Sequence, residues 1–173
     1  MSPELRLERC TLRPYRRNDE PSLVRYADNR NVSRNMRDRF PYPYTAADAR
    51  EWTTRVSAQT PVANFAIVVD GEVVGGIGVE PGTDVFRRSA EIGYWLGEPF
   101  WGRGIATEAL RAMTEYAFAT FDICRLEAGV FEWNPASARV LEKAGYTLEG
   151  RARLGVTKDG RTGDRLLYAL VRP

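Results

Sequence analysis

Small residues around one guanidinium, placed between a strand and a long helix, are the part of this sequence best suited to chemistry. Trp101-Gly102-Arg103-Gly104-Ile105-Ala106-Thr107 follows the alternating stretch Ser89–Leu96. It opens a segment from Ile105 to Phe121 in which Ala106, Leu110, Met113 and Ala117 form an apolar stripe at helical spacing. Backbone N–H groups at such a junction converge on one point, and the helix end adds about half a positive charge. That arrangement suits a pyrophosphate, with Arg103 adding a charge-assisted contact.

Several phosphate ligands compete for this loop. The nucleotide P-loop requires a lysine that is missing here. Gly102-x-Gly104-x-x-Thr107 comes nearer to the dinucleotide fingerprint, with Glu127 or Glu132 as the downstream acid. That fingerprint follows its strand almost directly, however, whereas Pro99 and its neighbours intervene between Gly97 and Gly102. A glycine-rich turn without a ligand is the plainest alternative. Two features favour coenzyme A. Gly93 interrupts a strand whose Ala90, Ile92, Tyr94 and Leu96 share one face, which suggests a bulge that would splay the strand from its neighbour and free backbone groups for the pantetheine amides. Asn134, at the exit of the following strand, reads both as a helix N-cap and as an amide contact to the same arm.

Glu91 is the carboxylate inside the strand that leads into this loop. Alternation sets it on the face opposite Ile92 and Tyr94, where a carboxylate is costly unless it borders a cleft. It is the candidate general base, acting directly or through a water.

Composition excludes other chemistries. The 173 residues contain no histidine, which removes Ser–His–Asp and Cys–His catalysis and every His-ligated metal site; no metal is expected. Cys10 and Cys124 are far apart and read as free thiols of a reducing compartment. A net charge of +2 implies neither nucleic acid nor membrane as a partner. No apolar run could span a bilayer and the N-terminus lacks a signal-type core, so a cytoplasmic protein, monomeric or homodimeric, is expected. The length suits one domain over residues 1–173.

The elements that must position these residues follow from periodicity and punctuation. Leu5 to Arg13 reads as a strand, and Asn18-Asp-Glu-Pro opens a helix over Ser22 to Asp28. Thr45-Ala-Ala-Asp48 is a capping box starting a helix that runs to about Ala58. Phe65–Val69 and Glu72–Val79 flank Asp70-Gly71, a hairpin signal. Ser89–Leu96 and Arg125–Glu132 are further strands, separated by the Ile105–Phe121 helix. Asn134-Pro135 begins a helix closed by Gly145. Thr147–Thr157 and Arg161–Val171 form a final hairpin. This order describes an α/β (α+β) protein with a mixed sheet and helices on its faces.

Glu91-Ile-Gly-Tyr-Trp-Leu96, Trp101-Gly-Arg-Gly-Ile-Ala-Thr-Glu-Ala109 and Asn134-Pro-Ala-Ser-Ala-Arg-Val-Leu-Glu-Lys-Ala-Gly-Tyr146 together resemble the GNAT superfamily of N-acetyltransferases. The likeness is to the RimJ/RimL branch that includes ribosomal-protein N-terminal acetyltransferases. It extends over nearly the whole chain through Leu12-Arg-Pro, Pro43-Tyr-Thr and the element order. The resemblance implies a mixed, mostly antiparallel sheet of about seven strands, split in a V between Ser89–Leu96 and Arg125–Glu132. It implies acetyl-CoA as co-substrate, with backbone around Tyr94, Trp95 and Leu96 holding the pantetheine. Trp101, Gly102, Arg103, Gly104, Ile105, Ala106 and Thr107 would hold the pyrophosphate, and Asn134 and Ser137 would approach the sulfur end. Leu141 occupies the position where many members carry the tyrosine that protonates the CoA thiolate, so either Ser137 or solvent is left to supply that proton.

The resemblance implies a primary amine as acceptor, and a peptide N-terminus or a small amino compound is the expectation. Phe40, Tyr42, Tyr44 and Trp52 could line its wall or belong to ordinary packing. Arg30, Arg34, Arg37 and Arg39 make that region basic, which disfavours a polycation. A catalytically silent CoA-binding module and a dinucleotide-dependent oxidoreductase are the alternatives from other classes.

Overall fold

A computed structural model describes residues 3–173. One eight-stranded sheet runs in the order β1-β2-β3-β4-β5-β6-β8-β7. Its strands are β1 (Leu5–Arg6), β2 (Thr11–Arg13), β3 (Asn64–Val69), β4 (Glu72–Pro81), β5 (Ser89–Leu96), β6 (Arg125–Phe131), β7 (Thr147–Lys158) and β8 (Arg161–Val171). All neighbours are antiparallel except β5 and β6. The helices are α1 (Glu20–Ala27), α2 (Arg30–Ser33), α3 (Ala46–Ser57), α4 (Ile105–Thr120) and α5 (Pro135–Lys143). Among the described residues no helix is long and apolar enough to cross a membrane.

The expected architecture holds, with eight strands where about seven were anticipated. The first strand is two, because the Leu7 N–H donates to the Cys10 carbonyl at 2.9 Å and turns the chain between β1 and β2. Both expected hairpins form. Asp70 and Gly71 (φ 49° and 83°) join β3 to β4, and Asp159 and Gly160 (φ 50° and 77°) join β7 to β8. Positive φ at two successive residues matches the right-handed twist of paired strands. Thr45 and Asp48 form the capping box of α3. The first helix starts differently: its N-cap, Asp19, makes no side-chain cap. Asp19 is instead buried against Arg13 in a two-pronged ion pair at 2.8 Å, which ties the helix entry to β2.

Alternation divides the sheet into two apolar faces. Ala90, Ile92 and Leu96 pack with Ile105, Leu110 and Met113 of α4 and Leu141 of α5. The other face of β3 and β4, through Ala66, Val68 and Val73, packs with Leu23 and Ala27 of α1 and Ala49 and Val56 of α3.

Candidate active site

Strands β5 and β6 pair in parallel only at Ser89–Arg125, Ala90–Leu126 and Glu91–Glu127. Beyond Glu91 the pairing stops, although β5 runs on to Leu96 and β6 to Phe131. The sheet therefore opens in a V whose apex is Glu91 and Glu127. No bulge produces it: β4 and β5 stay in continuous register from Gly75–Leu96 to Pro81–Ala90. The expected bulge at Gly93 is thus corrected. What Gly93 provides is room, since a Cβ built there meets nothing within 4 Å.

The glycine loop sits at the far end of β5. Gly102 and Gly104 have φ of +73° and +77°, a conformation that disfavours any side chain. Gly104 is the N-cap of α4 and offers no side chain to the helix's first N–H groups. A Cβ on Gly102 would meet open space. These free donors, together with exposed Arg103, are what a pyrophosphate needs, and the residues present fit one. Arg103 stacks on Phe100, 5.3 Å from its centroid. Arg9, which sequence reasoning missed, reaches the same loop. Its backbone N–H donates to Glu108 in the first turn of α4 (2.9 Å), and its side chain lies 3.4 Å from a Cβ built on Gly104. It arrives from the β1–β2 turn, and no local pattern marks it.

Two contacts refine the pantetheine expectation. The Trp101 indole donates to the Leu96 carbonyl at 2.7 Å, so that acceptor is already engaged and the indole buttresses the loop. Trp95 turns to the opposite face, where its ring meets Phe40 at 5.5 Å. Only the backbone of Trp95 and Leu96 could serve an extended ligand. Asn134 caps α5, accepting from the Ser137 N–H at 3.4 Å.

Ser137 is not isolated. Its hydroxyl lies 2.8 Å from the Tyr94 hydroxyl, a hydrogen bond that bridges β5 to the first turn of α5. Burial pushes the Tyr94 phenol well above the ordinary tyrosine range, partly offset by the Ser137 hydrogen bond. Sequence reasoning assigned Tyr94 a backbone role, and alternation alone could not show its side chain reaching α5.

Glu91 lies on the other face. Glu80, Glu91 and Glu127 stand abreast across β4, β5 and β6. Each carboxylate has a guanidinium: Arg39 on Glu80 at 3.1 Å, Arg37 on Glu91, and Arg125 on Glu127 at 2.9 Å. Glu91 is therefore ion-paired, with its side chain 31% exposed. On this same face Gly78 of β4 and Gly93 of β5 are paired neighbours, and Gly129 of β6 falls on it by alternation. Of these three, only Gly93 faces open space, because the Asn64 amide covers Gly78 and the Arg165 guanidinium lies over Gly129.

Of the aromatics that could line a wall or pack, Phe40, Tyr44 and Trp52 gather in one cluster, with the Phe40 and Tyr44 rings 5.4 Å apart, and Tyr42 stands outside it. Tyr44 is in the core, Trp52 packs edge-on against Tyr15 at 5.9 Å, and Tyr42 is an exposed ring beneath Arg30 at 5.3 Å. Phe40 alone of the four touches β5, through Trp95. Tyr44 and Trp52 are held in the cluster with α1 and α3, because an aromatic on an amphipathic segment goes first to the nearest core.

Residues 9–147 match the acetyltransferase (GNAT) domain family. The chain belongs to the GNAT family. An uncharacterized N-acetyltransferase of Bacillus licheniformis is 30% identical, with 95% of this chain and 94% of that protein covered. The probable N-acetyltransferase YjcK of Bacillus subtilis is 44% identical over 86 residues, and the match spans only 48% of its length. Among solved structures, Mycobacterium smegmatis RimJ in complex with CoA-disulfide superposes with a TM-score of 0.79 at 29% identity, covering 98% of this chain and 86% of that one. The GNAT assignment sets aside the dinucleotide reading, as does the sheet, which has one parallel pair where a doubly wound fold has a parallel series.

Proposed function

We propose that this GNAT protein is an acetyl-CoA-dependent N-acetyltransferase that acetylates a primary amine, on a peptide N-terminus or a small amino compound, by direct attack in a ternary complex. The observation that carries the reading is the split itself. The glycine loop, Tyr94 and Ser137 border it on the α4/α5 face, and Glu91, paired with Arg37, borders it on the opposite face. A thioester entering from one face can meet an amine entering from the other.

Gly102 to Thr107 would hold the pyrophosphate, with Arg103 and Arg9 beside it, and the unpaired edge of β5 would hold the pantetheine. Bound acetyl-CoA supplies the carbonyl carbon that the amine attacks. The N–C bond forms, the C–S bond breaks, and two protons must be handled. Glu91 is the base for the ammonium proton. Arg37 now occupies the position beside it that an acceptor ammonium would take, one cation exchanging for another. The thiolate takes its proton from Ser137, replenished through Tyr94, or from solvent. An N-terminal amine, with a pKa of ~7.7–8.0, demands less of the base than a lysine near ~10.4.

Thiol release from acetyl-CoA across N-terminal peptides, amino acids, polyamines and aminoglycosides tests the reading. We expect release with peptides or amino acids. Binding of acetyl-CoA without release for any amine would instead make the protein a silent CoA-binding module.

A further inference from the structure

Most arginines on the acceptor face are already paired: Arg30 with Asp159 at 3.3 Å, Arg37 with Glu91, and Arg39 with Glu80. Arg34 and Arg161 make no ion pair among the described residues, and both line a cavity of about 230 Å³ with Trp133, Lys158 and Asp159. The cavity lies between the end of α2 and the β7–β8 turn. Arg161 stacks over the Trp133 ring at 4.7 Å, and the Trp133 indole donates to the Arg34 carbonyl at 3.3 Å, which fixes both walls. Lys158 is 8% exposed. Its ammonium donates to Asp38 at 2.8 Å, a partner whose side chain is 86% exposed and readily exchanged for another carboxylate.

The cavity belongs to the acceptor side. Consecutive residues Arg37 and Asp38 reach Glu91 and Lys158 respectively, so the base candidate and the cationic cavity are joined by one peptide unit. A carboxylate two or three residues along an extended peptide lies roughly 7–10 Å from its amine. A guanidinium stacked on an indole, with a second one lining the same cavity, recognises such a planar anion well.

We infer that this cavity binds a carboxylate of the acceptor, so the preferred acceptors are amines bearing an acidic group a few residues away. The inference rests on the reading of this face as the acceptor side. The carboxylate belongs either to an acidic side chain of a peptide or to the C-terminal carboxylate of a di- or tripeptide.

The test compares peptides with a common N-terminal residue followed by Glu, Gln or Lys, all amidated at the C-terminus, beside the Gln peptide with its C-terminal carboxylate free. Transfer is measured as kcat/KM, and binding by calorimetry in the dead-end complex with CoA. We expect the Glu peptide to exceed the Lys peptide about 10-fold, with the preference reduced by salt and lost in the Arg34→Glu/Arg161→Glu double variant. Preference for the Gln peptide with a free C-terminus over its amide, lost in the same variant, would identify the main-chain carboxylate as the source. Charge-selective binding without transfer would support the cavity and sink the transferase reading instead. Equal binding of all peptides, no binding of any anion-bearing amine, or a preference that survives the double variant would overturn the inference.

Discussion

The two sides of the split sheet are built by different means. On the α4/α5 side the groups on offer are backbone: left-handed glycines, uncapped helix donors and a strand edge without a partner. On the opposite side they are side chains brought from separate segments, with Arg34 and Arg37 from one loop, Glu91 from β5, and Lys158 and Arg161 from the last hairpin. Backbone recognition constrains residue type at fixed spacing. Side-chain recognition constrains only the folded arrangement, and many sequences satisfy it.

Two glycine substitutions separate the sides most sharply. Gly104→Val places a branched side chain at a φ of +77° and 3.4 Å from the Arg9 side chain. Strain costs roughly 1–2 kcal/mol, and the phosphate space is filled. We expect the thermal stabilisation by acetyl-CoA, about 2.7 kcal/mol at 100 times Kd, to vanish. Gly93→Val has free space and an ordinary φ, so it should fold and keep the acetyl-CoA shift while losing acceptor kcat/KM. Loss of acetyl-CoA binding in the Gly93 variant would break the division between the sides.

That division also marks what could be read from the sequence. Gly102, Gly104, Asn134 and the extent of β5 were legible because turns, caps and alternation are local. Arg9, Tyr94 as a side-chain partner of Ser137, and the Arg37–Glu91 pair were not, because each joins positions distant in the chain. Wall lining and ordinary packing could not be told apart for the aromatics of residues 40–52 for the same reason. Composition gives the aromatics of residues 40–52 no address, and the core took Tyr44. The Gly93 bulge was inferred from a local signal that has two structural meanings, and here open space was the right one.

Glu91→Gln gives the next largest effect. The variant keeps shape and hydrogen-bonding capacity toward Arg37 while removing basicity, and we expect a kcat loss on the order of 10²-fold at neutral pH. The deficit should shrink as pH rises and more of the acceptor amine is neutral unaided. A pH-independent deficit would point to positioning by the Arg37–Glu91 pair. Full activity would leave solvent as the proton acceptor.

The smallest effect tests the boundary between the sides, at the hydroxyl pair of Tyr94 and Ser137. Tyr94→Phe removes the bridge from β5 to α5, and Ser137→Ala removes its other end. Each should cost about 0.5–1.5 kcal/mol of stability. If the pair protonates the departing thiolate, each should also lower kcat several-fold with little change in the KM for acetyl-CoA. The loss stays modest because a thiolate near pKa ~8.5 leaves tolerably without help. A KM increase at constant kcat would make the pair a spacer that sets the distance of α5 from β5. An alkaline scan separates the phenol's own contribution. Burial raises the Tyr94 pKa in the folded state, so the stability it contributes is fully present below the unfolded value of about 10 and is lost as pH rises through the higher folded value. Tyr94→Phe should therefore flatten the fall in stability above about pH 10 relative to the parent and leave the profile below it parallel. An unchanged slope in that window would mean that the phenol is not held protonated by the fold, and it could not then act as the reservoir behind Ser137.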